Sequence, residues 1–285
     1  MTVLQAKRLS GDRTTKIVTF AAKKHRKDMA QDSEIRVLPD GHAVAQAAAD
    51  EFVRLAREAL QRKGNFTVAL SGGSTPKTLY SLLAERTQNQ IGPEIPWSQI
   101  HLFFGDERHV PPDHADSNYR MANEAMISKV PVPATNVHRI HTENKDAEAA
   151  AAEYDRTLTQ VFTLTGKQLP RFDLILLGMG PDGHTASLFP GTSGVQELSR
   201  RVIANWVPKF NSFRVTLTRP VLNNASEVML LISGADKAPA LSEVLGSGDP
   251  DTYPVKYVQP RDGKVLWLLD KSAAGQLDSS QATAS

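Results

Sequence analysis

Residues 173–191 read DLILLGMGPDGHTASLFPG, and the order of residue types in this stretch points to an open α/β sheet. Leu174–Leu177 is a short, unbroken apolar run, the pattern of a strand buried on both faces of a sheet. Gly178-Met179-Gly180-Pro181-Asp182-Gly183 is too rich in glycine to extend that strand and predicts a turn. His184 follows the turn, with Asp182 two residues before it. Open α/β sheets build their sites in this way, with reactive side chains presented just past the end of a buried strand.

Working outward, the same alternation repeats along the chain. Apolar runs predict strands at 35–38, 66–70, 100–104, 202–207, 213–218, 228–232 and 265–269. Helical periodicity predicts helices at 43–63, stopped by Gly64, and at 77–85, 147–164 and near 237–245. Ser117 predicts the cap of a further helix from Asn118 to about Ile127. Strands alternating with helices predict an α/β fold, with a mostly parallel sheet and helices on both faces. The expected organisation is one domain over residues 34–274, a basic extension without a folded role at 1–33, and a small polar tail at 275–285 that frays from about Ala273.

Charge is unevenly spread. The first 30 residues carry eight Lys or Arg against Asp12 and Asp28, a net of +6, so the whole chain's +2 leaves the remainder at −4. A mildly acidic body argues against nucleic-acid binding, which spreads basic residues over a folded face. The basic extension has the Arg, Lys and Thr content of an organellar transit peptide, but Asp12, Asp28 and Asp32 weaken that reading, and it lacks a secretory signal's apolar core. The chain has no cysteine, which excludes disulfides and thiolate metal sites and lends an oxidising compartment no support. No apolar run approaches the roughly 20 residues of a membrane span. The expectation is a cytoplasmic protein, monomeric or weakly self-associating, whose partner is a small molecule.

Three loops carry chemistry. Ser71-Gly72-Gly73-Ser74-Thr75-Pro76 joins a strand to a helix. Its glycines let the backbone approach an anion, its hydroxyls add hydrogen bonds, and the helix N-terminus offers free N–H groups. The same residues read equally well as a capped turn, with Ser74 or Thr75 as cap and Pro76 in the first turn. In Gly105-Asp106-Glu107-Arg108-His109-Val110-Pro111, Arg108 suits a bidentate phosphate contact, while Asp106 or Glu107 suits a sugar hydroxyl or the orientation of Arg108. Taken alone, a solvated turn of mutually paired charges is the plainer reading of this loop.

The third loop is the opening stretch, where Gly178, Gly180 and Gly183 match G-x-G-x-x-G. A dinucleotide site is rejected, because the next strand brings no acidic residue for a ribose and Pro181-Asp182 sets a negative charge where pyrophosphate would approach. A lone histidine is more often structural than catalytic, yet His184 sits in a glycine turn and not on an apolar face. The remaining histidines lack the paired helical spacing of a zinc site, and no serine sits in a nucleophile elbow.

Taken together, the three loops, with Ser117-Asn118-Tyr119, resemble the 6-phosphogluconolactonase family over about Ile35 to Ala274. The resemblance implies a Rossmann-like fold shared with glucosamine-6-phosphate deaminase, ribose-5-phosphate isomerase and CoA transferases. It implies hydrolysis of 6-phospho-D-glucono-1,5-lactone to 6-phosphogluconate with no metal and no organic cofactor. His184 is then the base that activates water and Asp182 orients it. The turn's backbone N–H groups or a nearby cation stabilise the oxyanion. Substrate and phosphate contacts fall to Ser71, Gly72, Gly73, Ser74, Thr75, Asp106, Glu107, Arg108, Asn118, Gly180, Gly183, Lys209 and Arg214. Arg108 is the first choice for the phosphate; Phe210 stands where the family usually has a second proline after Pro208-Lys209.

The nearest alternative is the deaminase. After the shared Gly-x-Asp-Gly-His, that family reads Ile-Ala-Phe-Asn-Glu-Pro, and its Glu supports ring opening. Here Phe189 stands at the position of that Glu, and Arg108 replaces the tyrosine usual in the second loop. A non-catalytic sugar-phosphate sensor is the third reading, against which the retained His184 and Asp182 count.

Overall fold

The computed structural model describes residues 33–144 and 146–277; the basic extension up to residue 32 and residues 278–285 of the tail lie outside the described residues. The chain opens with β1 (Ser33–Leu38) and α1 (Gly41–Lys63). Asp40 caps α1 by accepting from the Ala43 N–H at 2.9 Å, and Gly64, at φ +80°, ends it in a conformation that glycine adopts without strain. β2 (Phe66–Leu70), α2 (Ser74–Asn89), β3 (Ile100–Phe104) and the short β4 (Asp106–Arg108) follow. After α3 (Asn118–Ala125) and α4 (Ala147–Val161) comes β5 (Leu174–Leu177). The last third holds β6 (Val202–Val207), β7 (Ser212–Leu217), the single turn α5 (Arg219–Leu222), β8 (Glu227–Ile232), α6 (Ala238–Leu245) and β9 (Lys264–Asp270).

Six strands form one wholly parallel sheet in the order β1-β9-β8-β5-β2-β3. Every residue of β2, β5 and β8 is buried, which is why these strands read as continuous apolar runs and not as alternations. α1 and α2 lie side by side, and α1 covers β8 and β9. Phe52 of α1 meets Phe66 of β2 edge to face at 5.4 Å, so helix and sheet interlock through aromatic rings.

Two buried tyrosines finish the strands that lead to the site. The Tyr80 hydroxyl donates to the Ser71 carbonyl at 2.8 Å and accepts from the Ser71 N–H at 2.9 Å. Tyr154 does the same for Phe104. Each hydroxyl satisfies a backbone donor and acceptor at the point where the chain leaves the ladder, where an unpaired buried group would cost free energy. Burial raises the pKa of both phenols.

The structure corrects the sequence reading in three places. β6 and β7 are not members of the parallel sheet; they form an antiparallel sheet with β4, in the order β4-β7-β6. Val202–Asn205 of β6 and Val215–Leu217 of β7 are buried without alternation, because α4 packs on the pair and Asn205 is bonded to Ser187 and Gly194. Residues 106–108, read as loop, are a strand paired with Arg214–Thr216. The tail does not fray from Ala273: Ala273–Gln276 is a 3-10 turn, Ala273 is fully buried, and Ala274 and Leu277 pack on the core.

Candidate active site

Strand order places the site. From β2 the chain crosses to β3 on one side, whereas from β5 it passes to β8 on the other, so the connections diverge between β2 and β5. Ligands bind at such a switch point, outside the carboxyl ends of the strands. The loops that leave β2 and β5 there are Ser71–Pro76 and Gly178–His184, and both line one cavity. β8 delivers Ser233 and Lys237 to the same cavity from beside β5, and the end of β3 delivers Asp106 and Arg108 from beside β2.

The first loop bends at glycines for two separate reasons. A Cβ on Gly72 would lie 2.0 Å from Asn118 Oδ1, so only glycine lets the loop lie against that amide. Gly73, at φ +109°, is the N-cap of α2, and no side chain caps the helix. The expected Ser74 or Thr75 cap is therefore corrected: the left-handed glycine turns the chain early and puts both residues inside the first turn. The helix N-terminus, with its positive dipole end, is left facing the cavity.

The turn after β5 is tied to itself. The Gly180 N–H donates to the His184 carbonyl at 2.9 Å, the Gly183 N–H to the Gly180 carbonyl at 3.0 Å, and the Thr185 hydroxyl to the Gly178 carbonyl at 2.8 Å. A Cβ on Gly180 would lie 2.1 Å from the His184 ring. His184 Nδ1 stands 2.5 Å from Asp182 Oδ1, and Lys209 Nζ 3.0 Å from Asp182 Oδ2. Burial pushes the Asp182 carboxyl up, but its bonds to His184 and Lys209 prevail and hold it well below the usual carboxylate range. An ionised carboxylate only accepts, so Nδ1 carries the hydrogen and Nε2 of the neutral ring keeps its lone pair. His184 lines the cavity, and its ring stacks on Phe189, centroids 4.0 Å apart and 24° from parallel. That arrangement has the makings of a general base for water.

Asp106 lines the cavity, and its Oδ2 accepts from the Ser187 hydroxyl at 2.6 Å, which ties the second loop to the third. Asn118, 2% exposed, donates its amide to the Asp106 carbonyl at 2.9 Å, while its Oδ1 has no hydrogen-bond partner. Arg108 reaches the cavity and donates to the Asp116 carbonyl. It pairs across the ladder with Arg214, an arrangement of like charges that destabilises a sheet unless an anion offsets it. Burial, and then Arg108, pull the Arg214 guanidinium below its ordinary pKa, and its Nε is buried with no partner.

The cavity thus brings together Ser71, Gly72, Gly73, Ser74, Thr75, Asp106, Arg108, Asn118, Gly180 and His184. Four expected contacts point elsewhere. Glu107, 1% exposed, accepts from the backbone N–H groups of Arg108, Asn118 and Tyr119 and from the Ser117 hydroxyl. It secures the start of α3 and has no oxygen to spare for a sugar. Gly183, at φ +72°, is pressed under Tyr253, where a Cβ would come within 2.6 Å of the ring. Lys209 is held by Asp182 and Arg214 lies over the Phe210 ring at 5.0 Å, so neither lines the cavity. The expectation that the turn's N–H groups stabilise an oxyanion fails for Gly180 and Gly183, whose N–H groups are spent within the turn.

Sequence reading missed Lys237 and Ser233. The available signal was Ser233-Gly234-Ala235-Asp236-Lys237 after the apolar β8, a strand–glycine–helix pattern like that of Ser71–Pro76. Among the described residues no group of three or more His, Cys, Asp or Glu gathers as metal ligands, and no helix is long and apolar enough to cross a membrane.

Comparison with known proteins adds a family match and close relatives. A family model described as glucosamine-6-phosphate isomerases/6-phosphogluconolactonase matches residues 39–267. The chain is 41% identical over 244 residues to a 6-phosphogluconolactonase of Nostoc sp., covering 85% of this chain and 98% of that one. It is 42% identical over 221 residues to one of Synechocystis sp., covering 77% of this chain and 88% of that one. Among solved structures, 6-phosphogluconolactonase from Trypanosoma cruzi matches with a TM-score of 0.76 at 29% identity, over 88% of this chain and 99% of that one.

Proposed function

The chain belongs to the glucosamine-6-phosphate isomerase/6-phosphogluconolactonase family, and from that premise we propose that it hydrolyses 6-phospho-D-glucono-1,5-lactone to 6-phosphogluconate by water activated at His184. One observation supports this chemistry above the rest: Asp182 holds Nδ1 of His184, and the ring opens onto a cavity lined by cations and a helix N-terminus. Nε2 takes a proton from water as the water oxygen bonds to the lactone carbonyl carbon. The tetrahedral intermediate then collapses, the bond from that carbon to the ring oxygen breaks, and the imidazolium returns its proton to the departing oxygen. Asp182 stabilises the imidazolium between the two steps. Positioned acid–base catalysis of this kind contributes about 10²–10⁴-fold.

Two charges on the phosphate call for partners. The uncapped start of α2, with Ser74 and Thr75, supplies N–H and hydroxyl donors, and Arg108 and Lys237 supply positive charge to the same cavity. A dianion there also offsets the repulsion between Arg108 and Arg214. The charge developing on the carbonyl oxygen is met by cavity donors other than the Gly180 and Gly183 N–H groups, which are occupied.

Phe189 argues for hydrolysis over deamination. It stands where the deaminases carry the ring-opening Glu, and its ring lies flat against His184. Two assays separate the readings: freshly made lactone followed through a coupled 6-phosphogluconate dehydrogenase, and ammonia release from glucosamine 6-phosphate. Turnover in the first, well above spontaneous hydrolysis, with none in the second is the expected result. Ammonia release at a comparable rate contradicts it, as does tight binding of 6-phosphogluconate without turnover.

A further inference from the structure

The tip of the β6–β7 hairpin, Pro208–Phe210 followed by Asn211 at φ +45°, lies against the Asp182–His184 pair. Phe210 is 46% exposed, an unusual place for a large ring, yet it has defined neighbours. Its ring meets Phe189 edge to face at 5.6 Å, and Phe189 carries the His184 ring on its own face. Lys209 and Arg214 set their charges 5.6 Å and 5.0 Å from the Phe210 centroid. Lys209 also bonds Asp182 Oδ2, the oxygen that His184 does not use. Below the tip, Trp206 and Phe213 are opposed across the ladder with rings 5.0 Å apart, a pairing that stiffens a hairpin.

We infer that this hairpin tip is a clamp on the catalytic pair: Lys209 fixes the second oxygen of Asp182, and Phe210 backs the Phe189 ring on which His184 lies. The inference rests on the reading of His184 as the base. Neither residue touches the reacting atoms; both are positioning residues. Lys209 has a second effect, because an Asp182 shared between two cations stabilises the imidazolium less than one devoted to His184. The charged groups around His184 are Asp182 on its own turn, Lys209 at the tip, Arg214 on β7 behind Phe210, Asp106 and Arg108 from β4, and Lys237 ahead of α6. Removing Lys209 takes away one positive charge and frees Asp182 for His184. Both changes keep the imidazole protonated to higher pH.

The test combines NMR titration of the His184 imidazole with steady-state kinetics on the lactone, corrected for spontaneous hydrolysis, in wild type, K209M, F210A and F210Y. In K209M the His184 midpoint and the acid limb of kcat/KM rise together by about 0.5 pH unit or more, while KM stays within about twofold. F210A lowers kcat by about three- to tenfold with little change in KM, and F210Y restores most of it. An unmoved His184 midpoint with a raised KM in K209M would make Lys209 a substrate ligand and overturn the clamp. So would an F210A enzyme with wild-type kcat. A wild type that leaves the lactone untouched, with the His184 midpoint still shifted in K209M, overturns the proposed reaction and supports the clamp.

Discussion

Glu227, at the first position of β8, is a carboxylate taken out of water, with Lys264 opposite it across the β8–β9 ladder. Arg54 stands 3.8 Å away, already holding Glu51 at 2.6 Å and Glu58 at 2.8 Å. Burial, helped by the nearby Glu51 carboxylate, wins over the pull of Arg54 and Lys264 and pushes the Glu227 carboxyl from 4.5 up to about 7. An acid whose folded pKa exceeds its unfolded one stabilises most below the unfolded value and loses that contribution as pH rises through the folded value. The shift corresponds to at most about 3 kcal/mol across pH 4.5 to 7. Glu227→Gln is expected to raise unfolding free energy at pH 8 by about 1–3 kcal/mol and much less at pH 5, as read by denaturant titration. An equal gain at both pH values would show that Glu227 does not titrate in that range. At this scale the sequence was readable where a residue type has one use, and misleading where it has two. His184 in a glycine turn had few structural duties open to it. Glu107 at a strand end had two, and nothing local distinguished a sugar hydroxyl from the free N–H groups of a helix eleven residues ahead.

Among the elements, the turn after β5 is the one whose geometry the proposed chemistry uses directly. Gly180 is required there because the His184 ring occupies the space of its side chain, whereas a Cβ on Gly64, at the end of α1, would meet nothing within 4 Å. The two glycines make a matched test. Gly180→Ala is expected to lower kcat by about tenfold or more, because a histidine displaced by about 1 Å loses its line to the carbonyl. Gly64→Ala, at φ +80°, is expected to cost about 1–2 kcal/mol of stability and leave kcat unchanged. A Gly180→Ala enzyme of wild-type rate would detach the turn's shape from the chemistry. Strand cores were legible here because β2, β3, β5 and β6 are bounded by glycine, proline or charge. Their partners were not, since β6 and β7 carry consecutive buried residues as the parallel strands do, and only tertiary pairing assigns them to a second sheet.

For the whole molecule, strand order does what no local pattern announces. Loops more than a hundred residues apart meet because β2 and β5 are neighbours whose onward connections diverge, and Lys237 joins them because β8 flanks β5. The α/β class followed from alternation along the chain; the order β1-β9-β8-β5-β2-β3 did not, and with it went the reason that Lys237 belongs to the cavity and Lys209 does not. Family membership closes part of that gap by supplying the reaction, and the geometry supports the residues proposed to carry it. The role of His184 as base is checked by comparing wild type with His184→Ala on freshly prepared 6-phosphogluconolactone, corrected for spontaneous hydrolysis, with 6-phosphogluconate binding measured on both. The variant is expected to bind with nearly wild-type affinity and to lose at least about tenfold in kcat; an undiminished corrected rate would contradict the account.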